Sequence, residues 1–233
     1  MRRASRTTTG CDGVRNVDGD ETAVTVCVYC SSSERIDQRF VELAAAVGAG
    51  IGRRGWALVT GGGSVSMMGA VARAARAGGA RTTGVIPRAL VEMEVADHDA
   101  DELVVTDDMR TRKAIMDGRA DAFLTLPGGI GTLEELLEIW VAHTLGMHAK
   151  PVVVLDPWAV FEPLRAQVDA LVEAGFVRPA AAGQVTWTTT VDEALDAIAS
   201  GLAGIVGLGS PDAGTPREDF AAPEAGEVLE AEP

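Results

Sequence analysis

The chain has 233 residues, a formal net charge of −14 and a hydrophobic fraction of 47%. This length suits one globular domain with tails, and a composition rich in Ala, Val and Gly favours helices packed on a parallel sheet. The acidic balance argues against a nucleic-acid partner, which needs a basic surface to displace counterions. No secretory signal and no uncharged span-length segment is visible, so we expect a cytoplasmic protein without a membrane partner.

Apolar runs and helical patterns alternate between two polar ends. Residues 1–22 predict a disordered N-terminal arm, residues 23–203 one Rossmann-like domain, and residues 204–233 a disordered acidic tail. Strands are predicted at 24–30, 56–60, 81–86, 102–106, 121–126, 151–155 and 184–187, and helices at 36–53, 65–77, 108–118, 132–145, 159–174 and 191–202. Short, near-continuous apolar strands are typical of a parallel sheet covered on both faces. The predicted fold class is therefore α/β, with a doubly wound parallel sheet that binds ligands beyond its strand C-termini.

A C-x-x-C pattern, Cys27 to Cys30, lies inside the first predicted strand. Side chains alternate along a strand, so two positions three apart face opposite sides. That geometry fits neither a metal site nor a redox pair, and we expect two buried thiols.

Glycine-rich loops follow two of the predicted strands, at 61–69 and 127–135, and a serine run, 31–33, follows the first strand. Glycines let the backbone approach a ligand, and the start of a helix offers unpaired N–H groups with partial positive charge. Neither loop fits the dinucleotide or triphosphate pattern. Convergence of both loops at one sheet edge therefore predicts a monophosphate site, with Gly62, Gly63 and Ser64 in the first loop.

The predicted helix at 108–118 carries two cations on its apolar face. With Asp108 as the N-cap, Met109, Arg112, Lys113 and Met116 fall on one side of the helix. Buried unpaired cations are costly, so Arg112 and Lys113 should meet an anionic ligand or a carboxylate. The alternatives are an internal ion pair, or side chains that extend to solvent.

Glu135 has two competing interpretations. The sequence from Thr132 to Glu135 is T-x-x-E, the pattern of a capping box in which the glutamate only closes a helix start. Glu135 also lies off the apolar stripe of its helix, beside the predicted phosphate loop, where an acid is costly unless it performs a task. The pattern leaves both interpretations open.

Taken together, these segments resemble the LONELY GUY family, the cytokinin riboside 5′-monophosphate phosphoribohydrolases. The resemblance extends from about Val24 to Ala199 and is most specific in M-x-x-R-K at 109–113 and P-G-G-x-G-T-x-x-E at 127–135. It implies hydrolysis of the N-glycosidic bond of N6-substituted adenine nucleotides, a homodimer, and no cofactor or metal. It also implies that Arg112 and Glu135 are the catalytic pair. Further implied substrate contacts are Glu94, Lys113, Gly129, Ile130, Gly131, Thr132, Leu133 and Glu134.

The sequence departs from the family pattern at a few positions. Arg110 stands where a histidine is usual, Ser66 where a glycine is common, Thr60 where a tyrosine is frequent and Val141 where a threonine is expected. Trp140 lies near, but not at, the position where the family usually has a tryptophan. None of these departures removes the implied catalytic pair. The preferred base, whether an N6-substituted adenine or the adenine of AMP, stays open.

Two rival functions follow from the same sequence. The first is a non-catalytic carrier of a nucleotide or cofactor, which the fold alone does not exclude. The second is a lysine decarboxylase, whose chemistry needs a lysine that forms a Schiff base with pyridoxal phosphate. The chain contains only Lys113 and Lys150, and neither has the sequence context of such a site. We therefore retain the carrier as the alternative and reject the decarboxylase.

Overall fold

A computed structural model describes residues 23–93 and 96–207 of the chain. Within these two ranges, seven parallel strands form one sheet in the order β4-β3-β2-β1-β5-β6-β7. The strands are β1 (Thr25–Tyr29), β2 (Ala57–Thr60), β3 (Thr82–Pro87), β4 (Glu102–Thr106), β5 (Ala122–Thr125), β6 (Val152–Leu155) and β7 (Val185–Thr188). All seven predicted strands are present, because continuous runs of Val, Leu and Ile are buried from both sides in such a sheet.

The helices are α1 (Gln38–Arg53), α2 (Ser66–Ala77), α3 (Arg88–Met93), α4 (Met109–Arg119), α5 (Ile130–Thr144), α6 (Glu162–Glu173), α7 (Pro179–Ala182) and α8 (Val191–Gly207). The short helices α3 and α7 were not predicted, since neither is long enough to show a helical period. Residues 204–207 were assigned to the tail by sequence, but they are helical and continue α8. The predicted arm, residues 1–22, and the rest of the predicted tail, residues 208–233, lie outside the described residues.

The sheet is doubly wound, as predicted. One core cluster lies between the sheet and helices α1, α2 and α8, and a second lies between the opposite face and helices α4, α5 and α6. Cys30 belongs to the first cluster and Cys27 to the second, so the two thiols are buried on opposite faces. The strand order runs outward from β1 to β4 on one side of the sheet and from β5 to β7 on the other. The C-terminal ends of β1 and β5 therefore form the topological switch point, where ligands bind in such folds.

No helix within the described ranges has both the length and the apolar character that a bilayer span needs.

Close contact between α1 and α2 depends on glycine. Gly48 is buried in the middle of α1, and a Cβ atom there would overlap the carbonyl oxygen of Val71 in α2. Because that neighbour is backbone, it cannot turn aside as the end of a flexible side chain would. Gly118 in α4 is different, because a Cβ atom there would meet open space.

We predict opposite effects for the same substitution at these two helical glycines. Gly48→Ala should lower the free energy of unfolding by about 2 kcal/mol or more, since it overpacks two backbones. Gly118→Ala should raise it by about 0.5 kcal/mol, because alanine loses less conformational entropy in a helix. Urea denaturation of the two variants and the parent protein measures both changes. Equal changes in the two variants would contradict the packing argument.

Candidate active site

A cleft of about 460 Å³ opens at the switch point, beyond the ends of β1, β2, β3 and β5. The segments that follow these four strands, together with α4 and α5, supply its walls. The lining residues are Cys30, Ser31, Ser32, Ser33, Gly61, Gly63, Met68, Ile86, Leu90, Met109, Arg112, Gly129, Gly131, Thr132, Glu134 and Glu135. The M-x-x-R-K and P-G-G-x-G-T-x-x-E segments therefore meet in one cavity.

Arg112 is the buried cation of this cleft, with only 5% of its surface exposed. Its Nε donates a hydrogen bond to the carbonyl oxygen of Val85 at 3.0 Å, and its Nη1 lies 3.3 Å from Oε1 of Glu135. A side chain at Gly61 would overlap Nη2 of Arg112, so the glycine leaves the space that the guanidinium occupies. The guanidinium is thereby fixed in place, and it faces the cleft as half of an ion pair.

Glu135 is the anionic partner, with a side chain only 11% exposed. The capping-box interpretation is wrong, because α5 begins at Ile130 with Gly129 as its N-cap, which places Thr132 inside the helix. Burial raises the pKa of Glu135 from 4.5 to about 7, although the nearby charge of Arg112 lowers it. Glu135 can therefore exchange a proton near neutral pH, as groups in catalytic acid–base chemistry do.

The start of α5 brings backbone N–H groups to the wall of the cleft. Gly129 has no side chain with which to cap the helix, and the first helical hydrogen bond runs from the N–H of Leu133 to the carbonyl of Gly129 at 3.0 Å. The preceding N–H groups have no acceptor within the helix, and Gly129, Gly131 and Thr132 line the cleft. A phosphate placed there would meet both these donors and the positive end of the helix dipole.

Two other predicted residues of this segment have different surroundings. Ile130 is 86% exposed and Leu133 packs against the core between the sheet and α5. Neither is among the residues that line the cleft.

Two backbone amides of the glycine loop after β2 donate hydrogen bonds to side chains of the protein itself. The N–H of Gly62 donates to Oγ1 of Thr60 at 3.2 Å, and the N–H of Gly63 donates to Sδ of Met68 at 3.1 Å. Gly63 lines the cleft, whereas Gly62 and Ser64 are not among its lining residues. Within this loop, Gly61 leaves the space for Arg112, and the hydrogen bonds of Gly62 and Gly63 give no support to their expected phosphate contacts.

Ser66 explains one departure from the family pattern. Its φ angle of 51° lies in the left-handed region, which favours glycine, the residue common at this position in the family. The serine hydroxyl donates a hydrogen bond to the carbonyl of Ser33 at 2.6 Å. That bond connects the start of α2 to the serine turn after β1, a cleft wall that is not among the binding segments predicted from the sequence. The sequence pattern that could have indicated this wall is the run of three serines directly after a central strand.

An apolar wall completes the cleft. Its side chains are those of Met68, Ile86, Leu90 and Met109. Met109 is 47% exposed although it is large and apolar, and Leu90 belongs to the unpredicted helix α3. The cleft thus combines a polar end for an anion, a central ion pair and an apolar surface, an arrangement suited to a nucleotide.

Two further predicted contacts are not part of the described wall. Lys113 pairs with Glu134 and Glu138, and its side chain is not among those that line the cleft. Glu94 lies outside the described residues. Two residues later, Ala96 forms a β-bridge with Gly63, which does line the cleft.

Comparison with known proteins decides the family. Residues 68–198 match a family model described as "Possible lysine decarboxylase". The cytokinin riboside 5′-monophosphate phosphoribohydrolases of Mycobacterium marinum and Mycobacterium tuberculosis are both 54% identical to the chain, over 76% and 75% of it and 94% and 93% of their own lengths. The chain belongs to the LONELY GUY family. The molybdenum cofactor binding protein of Rippkaea orientalis shares the fold alone, with a TM-score of 0.60 and 22% identity over 78% of this chain and 98% of that one.

The lysines of this LONELY GUY protein do not suit the decarboxylase in the description of that family model. The ammonium group of Lys113 forms ion pairs with two carboxylates. Nζ of Lys150 donates a hydrogen bond to the carbonyl oxygen of Asp117 at 2.7 Å. Neither ammonium group belongs to a residue that lines the cleft. The chain has no other lysine, so the cleft offers no residue for a pyridoxal Schiff base.

We predict that one glutamate of this protein titrates near neutrality. In a ¹³C NMR titration of glutamate-labelled protein, one carboxyl resonance should have its midpoint near pH 7, because burial raises the pKa of Glu135 to about 7. Glu135→Gln should remove that resonance. Arg112→Met should move the midpoint above 7, since the Arg112 charge favours the carboxylate. A midpoint near the ordinary value of 4.5 would contradict the burial argument.

Proposed function

We propose that this LONELY GUY protein hydrolyses the N-glycosidic bond of N6-substituted adenine riboside 5′-monophosphates, with AMP as a second candidate substrate. The products are the free base and ribose 5-phosphate. The observation that carries the proposal is the buried pair of Arg112 and Glu135, set in one cleft with an uncapped helix start. The two mycobacterial relatives are named for this activity.

The proposed substrate position follows from the polarity of the cleft. The 5′-phosphate binds the N–H groups at the start of α5, where Gly129, Gly131 and Thr132 line the wall. The base packs on the apolar side chains of Ile86, Leu90 and Met109. This position puts the ribose between the two ends, beside Arg112 and Glu135. An apolar wall favours a base with an apolar N6 substituent over plain adenine.

The proposed mechanism gives each member of the pair one task. As the bond from C1′ to the base nitrogen breaks, the carboxylate of Glu135 stabilises the oxocarbenium character at C1′ and orients the attacking water. Arg112 neutralises the negative charge that develops on the departing base. The water oxygen bonds to C1′ and its proton passes to the base, with Glu135 able to carry the proton because its pKa is about 7.

The burial of Glu135 also argues against the carrier alternative. A protein that only binds an anionic nucleotide gains nothing from a carboxylate near the phosphate, because the two charges repel each other. Desolvation makes that carboxylate costlier still, as its raised pKa shows. A carboxylate that stays buried despite this free-energy cost of desolvation is expected to act in the reaction.

Product analysis of the wild-type protein and two variants tests this function. Mass spectrometry after incubation with N6-isopentenyl-AMP or AMP should detect free base and ribose 5-phosphate, and the matching nucleoside should react far more slowly. Glu135→Gln should lower kcat roughly 100-fold or more, the usual scale for such groups. Arg110→Ala is the control, because Arg110 is exposed on α4 and is not among the residues that line the cleft. Binding of AMP without release of adenine or of the substituted base would favour the carrier.

We also propose that a second copy of the chain covers one face of α5. Ile130, Leu137, Val141 and Leu145 are exposed, by 86%, 41%, 53% and 64%, and their spacing puts them on one side of the helix. An exposed apolar stripe of this kind marks an interaction surface. Val141, the residue that replaces the family threonine, lies in its middle.

Light scattering should give twice the chain mass for the wild-type protein if this homodimer forms. Val141→Lys should give the mass of a single chain, because two lysines would be buried at a symmetric contact. Gln167→Lys, at an exposed position of α6, should leave the mass doubled. A single-chain mass for the wild-type protein would refute the dimer.

A cytoplasmic location stays part of the proposal.

A further inference from the structure

A buried ion pair outside the cleft joins the last turn of α2 to the segment between α3 and β4. The carboxylate of Asp97 accepts two hydrogen bonds from the guanidinium of Arg76, at 2.8 Å from Nη1 to Oδ2 and 3.1 Å from Nη2 to Oδ1. The side chain of Asp97 is 7% exposed and that of Arg76 is 18% exposed. Neither residue lines the cleft. The proposed mechanism gives this pair no task, although the burial of two charges costs free energy.

The backbone of Asp97 contacts the glycine loop that follows β2. Its N–H donates a hydrogen bond to the carbonyl oxygen of Gly62 at 2.9 Å, and the preceding residue, Ala96, forms an antiparallel bridge with Gly63. Asp97 thus binds Arg76 with its side chain and the loop with its backbone. Because two parallel hydrogen bonds to a planar guanidinium restrict the carboxylate, the ion pair also restricts the backbone that holds the loop.

The glycine loop borders two features that hold Arg112. Gly61 leaves the space for the guanidinium, since a Cβ atom there would lie 1.8 Å from Nη2. Gly62 has a φ of 77° and packs on β3, where a Cβ atom on it would lie 3.2 Å from the backbone nitrogen of Val85. The carbonyl oxygen of Val85 is the acceptor for Nε of Arg112. A displaced loop would therefore change the space beside the guanidinium and the packing on the strand that supplies its acceptor.

We propose that Asp97 is a positioning residue: held by Arg76, it fixes the glycine loop and, through that loop, the guanidinium of Arg112. The task of this guanidinium in hydrolysis rests on the proposed function. Such placement matters because a shift of about 1 Å at a catalytic group can lower a rate roughly 100-fold. The proposed phosphate site at the start of α5 is a different segment of the cleft wall. Loss of the ion pair should therefore lower kcat and leave the affinity for phosphate unchanged.

A simpler role for the ion pair is to stabilise the fold, and two control variants separate that role from positioning. Asp101 belongs to the same segment, and its carboxylate accepts hydrogen bonds from the N–H and the hydroxyl of Thr82, at 2.7 and 3.0 Å, instead of holding the glycine loop. Asp101→Asn is therefore the local control. Leu195 is a buried core residue of α8, so Leu195→Ala is the control for lost stability.

The first measurement follows the position of Arg112 directly. In ¹⁵N NMR spectra the Nε–H signal of Arg112 is assigned by its loss in Arg112→Met. This signal should move in Asp97→Asn, in Arg76→Met and in the double variant, because its hydrogen bond to the carbonyl of Val85 changes. It should stay at the wild-type position in Asp101→Asn and Leu195→Ala.

The second measurement separates kcat from phosphate binding in the same proteins. For AMP and N6-isopentenyl-AMP, kcat should fall roughly tenfold or more in Asp97→Asn and Arg76→Met. The Kd of inorganic phosphate, measured by calorimetry, should change by less than about twofold. The double variant should lose no more kcat than Asp97→Asn alone, since Arg76 acts through Asp97. Arg76→Lys keeps the charge but not the two parallel hydrogen bonds, so its kcat should lie between those of wild type and Arg76→Met.

Several results would overturn the proposal. An unmoved Arg112 signal with wild-type kcat in folded Asp97→Asn would mean that the pair serves stability alone. A similar loss of kcat in Leu195→Ala would attribute the effect to lost stability, and additive losses would mean that Arg76 and Asp97 act separately. A raised Kd for phosphate with unchanged kcat would mean a role in binding. If Asp97→Asn and Arg76→Met do not fold, Arg76→Lys carries the comparison, and an unmoved Arg112 signal there overturns the proposal.

The NMR measurement does not depend on turnover. If the wild-type protein releases no base from AMP or from N6-isopentenyl-AMP, the proposed function fails. The position of the Arg112 signal in the variants still decides whether Asp97 fixes the guanidinium.

Discussion

The site depends on the burial of one guanidinium. A cation that is 5% exposed is stable only if acceptors surround it, and Arg112 contacts a carbonyl near the end of β3 and a carboxylate in the second turn of α5. A glycine after β2 leaves the space that the guanidinium fills. Because three different strand ends converge on Arg112, the parallel sheet with its switch point at β1 and β5 is a precondition for the pair and not merely its support. Removal of Glu135 would leave the Arg112 charge buried without its anionic partner, whereas removal of Arg112 would raise the pKa of Glu135 further and favour its neutral form.

Two neighbouring glutamates show how position alone divides roles. Glu135 is buried, so desolvation outweighs the attraction of Arg112 and its pKa rises to about 7. Glu134 is half exposed and pairs with Lys113. Both stand near a helix start that favours negative charge in a ligand. The site therefore holds one buried carboxylate whose protonation can change near neutral pH and a second, half-exposed carboxylate that is paired with a lysine.

Much of this arrangement could be predicted from the sequence, because its signals are periodic. Buried strands appear as apolar runs, and the i, i+3, i+4, i+7 spacing from Met109 to Met116 placed Arg112 on the inward face of α4. The role of Glu135 could not be decided in the same way. Whether T-x-x-E is a capping box depends on where the helix begins, and the glycines before it let α5 begin two residues earlier, at Ile130. The internal hydrogen bonds of the Gly62 and Gly63 amides could not be predicted either, because their acceptors, Thr60 and Met68, are set by turn geometry that no sequence pattern records.

The departures from the family pattern are tolerated because none of the residues that differ provides the guanidinium, its two acceptors or the space that it fills. Ser66 illustrates how such a change is accommodated. A serine with φ of 51° is strained by about 1 kcal/mol relative to glycine, but its hydroxyl bonds to the carbonyl of Ser33 at 2.6 Å, an interaction of similar size that glycine cannot make. The strain and the bond offset each other, so the loop keeps its conformation while the serine turn after β1 gains an attachment to α2. Variation at this position therefore changes how one wall of the cleft is held, and it leaves the contacts of Arg112 with Val85 and Glu135 in place.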